Sequence, residues 1–464
     1  MFSKRLSLLV FLVIATLMVT ACGAPSPTTV VVPTSTAQPA PVEPSQPPPS
    51  PTSEPTPTEV PPVPQPEPIK ITWLAPSEWG DLSSVIADFE SRNPDLKVEL
   101  QQVSAAVLDA SIGQTLGAGQ ATPDVVIVNS SNAIAYGMNG WLEPLWVVFT
   151  FDQKVDWMLT PRQFGEYNHE LYAAPISTKT QLLYYNYDLL AQAGITPPGQ
   201  DERWTWEQVA EAAQTLTKGD VWGFSWESSN LETIFPLAAS YGAKTLSTQS
   251  GSVEGDLNSP AWVDALKFYV RVFNEWKISP QDEAFNPVES FEAGKLAILV
   301  GPDADIFRFA NANQGKGLDF NWVASGYPSF ANGKVVTPAG GWHIGVNANS
   351  SNKEAATRLV YYLAASKGET NGALTLWQTG STDLPAQTAN IYAVFNWPAF
   401  AEPPMAFMKL AANDAMNNSV PAAITPAYAQ IDTILQSTLA EIRAGADPKQ
   451  ALDNAVKQID QLLQ

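Results

Sequence analysis

The stretch from Leu171 to Leu216, LYAAPISTKTQLLYYNYDLLAQAGITPPGQDERWTWEQVAEAAQTL, constrains the fold more than any other. A short apolar run, Leu171 to Ala174, ends at Pro175, and a polar segment, Ser177 to Gln181, follows. A second apolar run, Leu182 to Tyr185, leads into a helix that the Pro197-Pro198 pair breaks. Thr205, with Gln208 three residues later, then opens a new helix with a capping box. Two apolar runs separated by a short polar crossing imply that the chain leaves one lobe here, crosses a cleft and begins a second.

The residues before this stretch alternate between strand and helix. Ile69 to Leu74 reads as a strand, followed by the loop Ala75 to Asp81. Leu82, Val85, Ile86 and Phe89 recur at helical spacing until Asn93-Pro94. Leu96 to Leu100 is a second strand. Val107, Leu108, Ile112 and Leu116 mark a helix closed by Gly117 and Gly119. Val125 to Val128 is a buried strand, and Asn129 to Asn132 a polar loop at its end. The alternation predicts an α/β fold with mostly parallel sheets, whose ligands bind at the carboxyl ends of the strands.

After the crossing, strands are predicted at Trp222 to Trp226, Leu296 to Val300, Asn321 to Ala324 and Val335 to Val346. Helices are predicted around Ile234 to Ala239, Ala261 to Trp276 and Lys353 to Ala364. The last helix is capped by Asp447-Pro448 with Gln450. At 464 residues the chain can build two or three cores, and 45% hydrophobic residues are enough to fill them.

Residues 1–22 read as an export leader: Lys4 and Arg5, then the apolar core Leu6 to Val19, which at 14 residues is too short to span a bilayer. Val19-Thr20-Ala21-Cys22 resembles a lipobox, with Cys22 the lipidated first residue of the mature chain. The alternative is a free thiol. Cys22 is the only cysteine, so no internal disulfide forms. From Gly23 to Pro68, 17 of 46 residues are Pro, a composition that stays extended and reaches at most about 140 Å. It reads as a tether or a plain spacer.

Charge and missing motifs exclude several functions. Lys and Arg number 25 against 46 Asp and Glu, a net charge of -21 with a pI near 4.4. So acidic a surface disfavours nucleic acid and anionic lipid. With two histidines, His169 and His343, and no cysteine beyond Cys22, neither zinc spacings nor a metal site is expected. No nucleophile elbow or phosphate loop occurs, and no cofactor is expected. A glycosidase needs only two carboxylates, so that enzymatic alternative stays open. Trp79, Trp226, Trp342 and Trp377 each lie near Gly, Ser, Asn or Asp, where a tryptophan face stacks on a sugar and its neighbours bond the hydroxyls.

Taken in order, several segments resemble the extracellular solute-binding proteins of family 1, the sugar-binding, maltose-binding-protein-like receptors of ATP-binding-cassette importers. They are Leu116-Gly117-Ala118-Gly119 with Pro123-Asp124-Val125-Val126, and Gly140-Trp141-Leu142-Glu143-Pro144-Leu145. Tyr172-Ala173-Ala174-Pro175, Tyr185-Asn186-Tyr187-Asp188 and Trp204-Thr205-Trp206-Glu207 follow, then Phe291-Glu292-Ala293-Gly294-Lys295 and Gly340-Gly341-Trp342. The resemblance covers about residues 69–463.

It implies a two-lobed periplasmic-binding-protein fold of type II that closes on a ligand about crossover segments. These lie near Ile176 to Thr180, Trp322 to Pro328 and Lys367 to Ala373, so that residues 69–176 and 325–370 form one lobe and 177–324 and 371–464 the other. It implies ligand contacts from Ser77, Glu78, Trp79, Asn129, Ser131, Asn132, Lys179, Trp226, Asn230, Glu232, Asp303, Gly341, Trp342 and Trp377. Val128 and Asp303 stand where maltose-binding protein has stacking tryptophans. The implied partners are a carbohydrate, membrane permease subunits and, through Cys22, the outer face of the cytoplasmic membrane, with the receptor a monomer and no enzyme. A non-sugar solute such as a polyamine or peptide is the alternative, since Glu78 and Glu232 suit a cation.

Overall fold

The computed structural model of the chain describes residues 67–199, 202–282, 284–365, 372–379 and 383–464. The expected leader, Cys22 and all but the last two residues of the Pro-rich stretch lie outside the described residues, as does most of the third expected crossing. The strands that position the cleft are β1 (Ile69–Pro76), β2 (Leu96–Val103), β3 (Val125–Asn129), β4 (Ala174–Pro175) and β5 (Ser177–Thr178). They continue with β6 (Gln181–Asn186), β7 (Trp222–Trp226), β8 (Leu296–Pro302), β9 (Trp322–Ser325), β10 (Trp342–Val346) and β11 (Leu384–Pro385).

Two sheets carry the two lobes. The first has the order β2-β1-β3-β10-β4, the second β9-β6-β8-β7. In the first, β1 is parallel to β2 and β3, whereas β10 is antiparallel to β3 and β4. In the second, β8 is parallel to β7 but antiparallel to β6, which is antiparallel to β9. Both sheets are therefore mixed, which corrects the expectation of mostly parallel ones. The reason is where chains enter. β3 ends at the cleft with Asn129, and β10 starts there, Trp342 opposite Asn129, so it runs the other way. Likewise Gln181, the first residue of β6, lies opposite Pro302, the last of β8. A strand arriving from the other lobe needs no crossover helix, and the parallel rule for βαβ units does not bind it.

The first lobe buries Ile71 and Trp73 of β1 against Val85 and Phe89 of helix α1 (Ser83–Arg92) and Leu108 and Ile112 of helix α2 (Ala105–Thr115). In β6 all six residues are buried. Leu183 and Tyr185 join one apolar cluster and Leu182 and Tyr184 another, one on each face of the sheet. A strand covered on both faces has no polar side to show, which is why this run is continuously apolar.

The second crossing lies later than expected. Tyr327, Phe330, Val336 and Ala339 are buried in the same cluster as Leu183 and Tyr185, so the chain stays in the second lobe beyond Trp322 to Pro328. It crosses at Pro338 to Gly341, and the strand expected from Val335 shortens to β10. Helix Gly372–Thr379 still packs on α1 and on helix Lys353–Ala364, with Leu376 in the first core. The next crossing is therefore at Asp383 to Gln387, where β11 pairs antiparallel with β5. Apolar side chains decide both corrections: each of these segments belongs to the core that buries it.

His343 sits in β10 with no exposure, its Nε2 donating to the Pro161 carbonyl at 2.8 Å and its Nδ1 without a partner among the described residues. Burial pushes its pKa down to about 4. An unfolded chain takes up a proton below about pH 6.5, whereas the folded one resists until about 4, so stability falls as pH drops through that window. The loss expected from this group is about 3 kcal/mol. Urea unfolding of wild type and His343→Gln at pH 6.5 and 4.5 checks it: the wild type should lose more stability over that interval than the variant.

Candidate functional site

Three chain segments meet between the sheets. Lys179 and Gly340 exchange backbone hydrogen bonds, Lys179 N to Gly340 O at 3.2 Å and the return at 3.3 Å. Ile176 N donates to Trp342 O, and Ala386 N donates to Ile176 O. Side chains lock the same place. Ser177 Oγ accepts from Trp342 N at 3.0 Å and donates to Asp383 Oδ2 at 3.2 Å. Thr180 Oγ1 bonds Thr337 Oγ1 and donates to Pro338 O at 3.0 Å. Gly341 has φ +130°, and a Cβ there would lie 2.5 Å from Ser177 O. Only glycine allows the two crossings to run this close.

From the first lobe, the ends of β1, β3 and β10 supply one wall. Trp79, in the short turn Ser77–Trp79, and Trp342 meet edge to face with ring centroids 6.0 Å apart. Asn129 ends β3 and caps helix α3 (Ser130–Met138), its Oδ1 accepting from Ser131 N at 3.1 Å and Ser131 Oγ at 2.9 Å. The expected polar loop is thus a helix N-terminus, and Asn132 lies half-buried in its first turn. Ser130 Oγ donates to Gly341 O at 2.6 Å and ties this helix end to the crossing.

From the second lobe comes a polar cavity of about 110 Å³ lined by Lys179, Gln181, Glu227, Ser228, Asn230 and Glu232 among others. Lys179 Nζ lies 3.5 Å from Glu232 Oε1. The Glu232 carboxylate, helped by Asp383 and Asp303 and opposed by burial, raises the Lys179 pKa and keeps it charged. Asn230 caps helix Leu231–Ser240 by accepting from Thr233 N at 3.0 Å. Gln181 is 6 % exposed, and its Oε1 has no partner among the described residues. Glu227 and Ser228 also edge a second cavity of about 300 Å³ that reaches Phe273 and Arg443.

Four residues expected in the site do other work. Trp226 packs in the core against Trp206, Phe224, Tyr269 and Phe273. It shares a strand face with Phe224, two residues before it, so alternation sends its ring inward and turns Glu227 out. Trp377 is buried against Trp397 and Phe400. Asp303 has no exposure; its Oδ1 accepts from Thr180 N at 3.2 Å while its own N–H donates to Thr180 O at 3.1 Å, bracing the crossing. Burial, then the Asp383 charge, raises its pKa well above the usual carboxylate range. Glu78 is exposed, but both its oxygens accept from Ala105 N at 2.9 and 3.1 Å, at the start of α2. A hydrogen bond from its own backbone N–H, and then the one from Ala105, holds its pKa below the ordinary value.

Gln181, Glu227, Ser228 and Asp383 were not expected. Strand alternation past Trp226 carries the signal for Glu227; Asp383 stands 206 residues from its partner Ser177, and no local pattern joins them.

Residues 78–370 match the profile of the family described as bacterial extracellular solute-binding protein. The chain belongs to that family. Among solute-binding proteins, the mannitol-binding protein of Pseudomonas aeruginosa is 24% identical over 65% of this chain and 69% of its own length. The galactooligosaccharide-binding protein of Bacillus subtilis is 25% identical over 83% of this chain and 87% of its own. Among solved structures, an ABC substrate-binding protein from Listeria monocytogenes in complex with cycloalternan has the same two-lobed fold. It superposes with a TM-score of 0.71 at 23% identity, covering 86% of this chain and 99% of that one.

In this solute-binding protein the crossing is the part least tolerant of added atoms. Gly341→Ala combines a disfavoured φ with a backbone clash and is expected to cost about 3 kcal/mol. The urea midpoint should fall with the m value unchanged; an unaltered midpoint would mean that the crossings part without cost.

Proposed function

We propose that the chain is a lipid-anchored, monomeric receptor that captures a sugar or oligosaccharide outside the cytoplasmic membrane and passes it to an ABC permease. Its first lobe comprises 69–176 and the segment from 341 to the crossing at Asp383, and its second lobe comprises 177–340 and the segment after Gln387, whose helices are buried with Leu182 to Tyr185. One observation carries the ligand reading: half-buried Trp342, with Trp79 buried edge-on behind it, stands beside Asn129 and Ser131 on one wall, joined through Gly341 to the Lys179, Asn230 and Glu232 wall. Aromatic rings offer apolar faces for sugar C–H groups, and the amides, hydroxyls and charges around them fit hydroxyls. The sugars in the relatives' names agree with it.

The other readings lose their residues. A polyamine would need free carboxylates, yet Glu78 caps α2 and Glu232 is paired with Lys179. A glycosidase needs two carboxyls roughly 5 Å or more apart with a sugar between them. Glu227 and Asp305 instead press on one spot at Gly301, 3.2 and 2.7 Å from where its Cβ would stand, and Asp305 is buried. The receptor works by binding alone, the ligand drawing the lobes from open to closed.

A thermal-shift screen with mannitol, a galactooligosaccharide, a maltodextrin and spermidine tests this. A sugar at a hundredfold excess over Kd should add about 2.7 kcal/mol of stability and raise Tm, and Trp342→Ala should weaken that sugar at least tenfold. A shift from spermidine and from no sugar would overturn the sugar reading. The anchor has its own test: Cys22→Ala should release the protein from membranes into the soluble fraction, and unchanged membrane retention would count against lipidation.

A further inference from the structure

Two carboxyl groups that the sequence reading did not single out meet beside the cleft. Gly301, in β8, lies against both: a Cβ there would stand 2.7 Å from Asp305 Oδ2 and 3.2 Å from Glu227 Oε2. Asp305 is 6 % exposed, and its Oδ2 receives no N–H or hydroxyl from any described residue. Glu227, by contrast, is exposed and edges both cavities. Two carboxyls crowd one backbone spot, the inner one cut off from water, and a proton held between them relieves both the burial and the repulsion.

Among the described residues no cation is committed to the pair, although Arg308 and Lys179 act on it from a distance. On the helix that carries Asp305, Arg308 is held by Glu292, with Nε at 2.7 Å and Nη2 at 2.9 Å. From the crossing, Lys179 belongs to Glu232. Tyr184 of β6 gives its hydroxyl hydrogen to Pro302 O at 2.6 Å, and Asp303 adds a further carboxyl to the neighbourhood. Burial above all, and then the Glu227 charge, pushes the Asp305 pKa up to about 8; partial burial also raises that of Glu227.

We propose that Asp305 and Glu227 share one proton at neutral pH, with Asp305 holding it and Glu227 kept ionised at the cavity as a hydrogen-bond acceptor for a ligand hydroxyl. The ligand half of this rests on the sugar reading above. Asp305 is a positioning residue: its O–H fixes the Glu227 carboxylate, and a charged acceptor makes hydrogen bonds roughly twice as strong as a neutral one. In acid both groups are protonated and the charged acceptor disappears. Above about pH 8 both are ionised, and like charges side by side push the wall apart. Ligand affinity therefore peaks near neutrality.

The full chain, labelled with ¹³C at the Asp and Glu carboxyls, tests the shared proton by NMR without any ligand. One Asp resonance should titrate near pH 8 and vanish in Asp305→Asn; if no high-pH step is lost in that variant, the shared proton is wrong. Tryptophan fluorescence with the galactooligosaccharide at pH 5, 7 and 9 tests the link to binding. Wild type should bind at least fivefold more weakly at 5 and at 9 than at 7, Asp305→Asn should lose the alkaline limb, and Glu227→Gln should lose the acid limb. A flat wild-type profile overturns the link. Binding of no sugar at any pH overturns the receptor reading of the cleft, and the NMR step then decides the shared proton by itself. Thermal melts of Asp305→Asn give a third readout. A carboxyl with a raised folded pKa costs stability as pH rises from about 4 to 8, so the variant should melt higher than wild type at pH 9.

Discussion

The structure depends on four residues, Ser177 to Thr180, being hydrogen-bonded on two sides at once. Gly340 and Trp342 bind them on one side and Asp383 and Ala386 bind that strand region on the other, while Asp303 closes on Thr180. Each such bond is worth about 1 kcal/mol net, and a fully buried Leu or Phe about 1.5–3. Each lobe packs dozens of apolar side chains, so its core is far stiffer than a crossing held by a handful of bonds. Motion between lobes is therefore concentrated in the crossing, and side chains placed on either side of it must converge there.

Much of this was legible in the sequence because the decisive signals are local. Pro175 and the polar run after it mark the first crossing, and β4 and β6 do fall in different sheets. The capping box at Thr205 and the strand-helix alternation of the first lobe are patterns within ten residues, and the structure has them. What failed was non-local. Tyr327 and Phe330 sit in a stretch with weak periodicity, and only the partners that bury them show that the chain has not yet crossed. Strand direction was missed for the same reason, since it depends on which end of a lobe the chain re-enters.

In the site, residues that approach the cleft through backbone geometry were easier to place than those that approach through side-chain type. Asn129, Gly341 and Trp342 end strands or lie in the crossing, and they meet. Trp226 and Trp377 were proposed because tryptophan stacks on sugars, but a large apolar ring near a polar residue is equally suited to a core. The period of the strand outranks composition here: with Phe224 inward, Trp226 must be inward too, and the residue after it reaches the cleft.

Acidity is the remaining puzzle, since a chain of net charge -21 has collected Glu227, Glu232, Asp303, Asp305 and Asp383 at one place. Left ionised, these groups would repel one another across a region that must close. Each is instead relieved by its own neighbour: Glu232 by Lys179, Asp303 by the Thr180 N–H, Asp383 by the Ser177 hydroxyl, and Asp305 by the proton it holds against Glu227. What such a wall offers is directional hydrogen bonding with little uncompensated charge. That is the chemistry to which a neutral polyol is complementary, and which a cation gains least from entering.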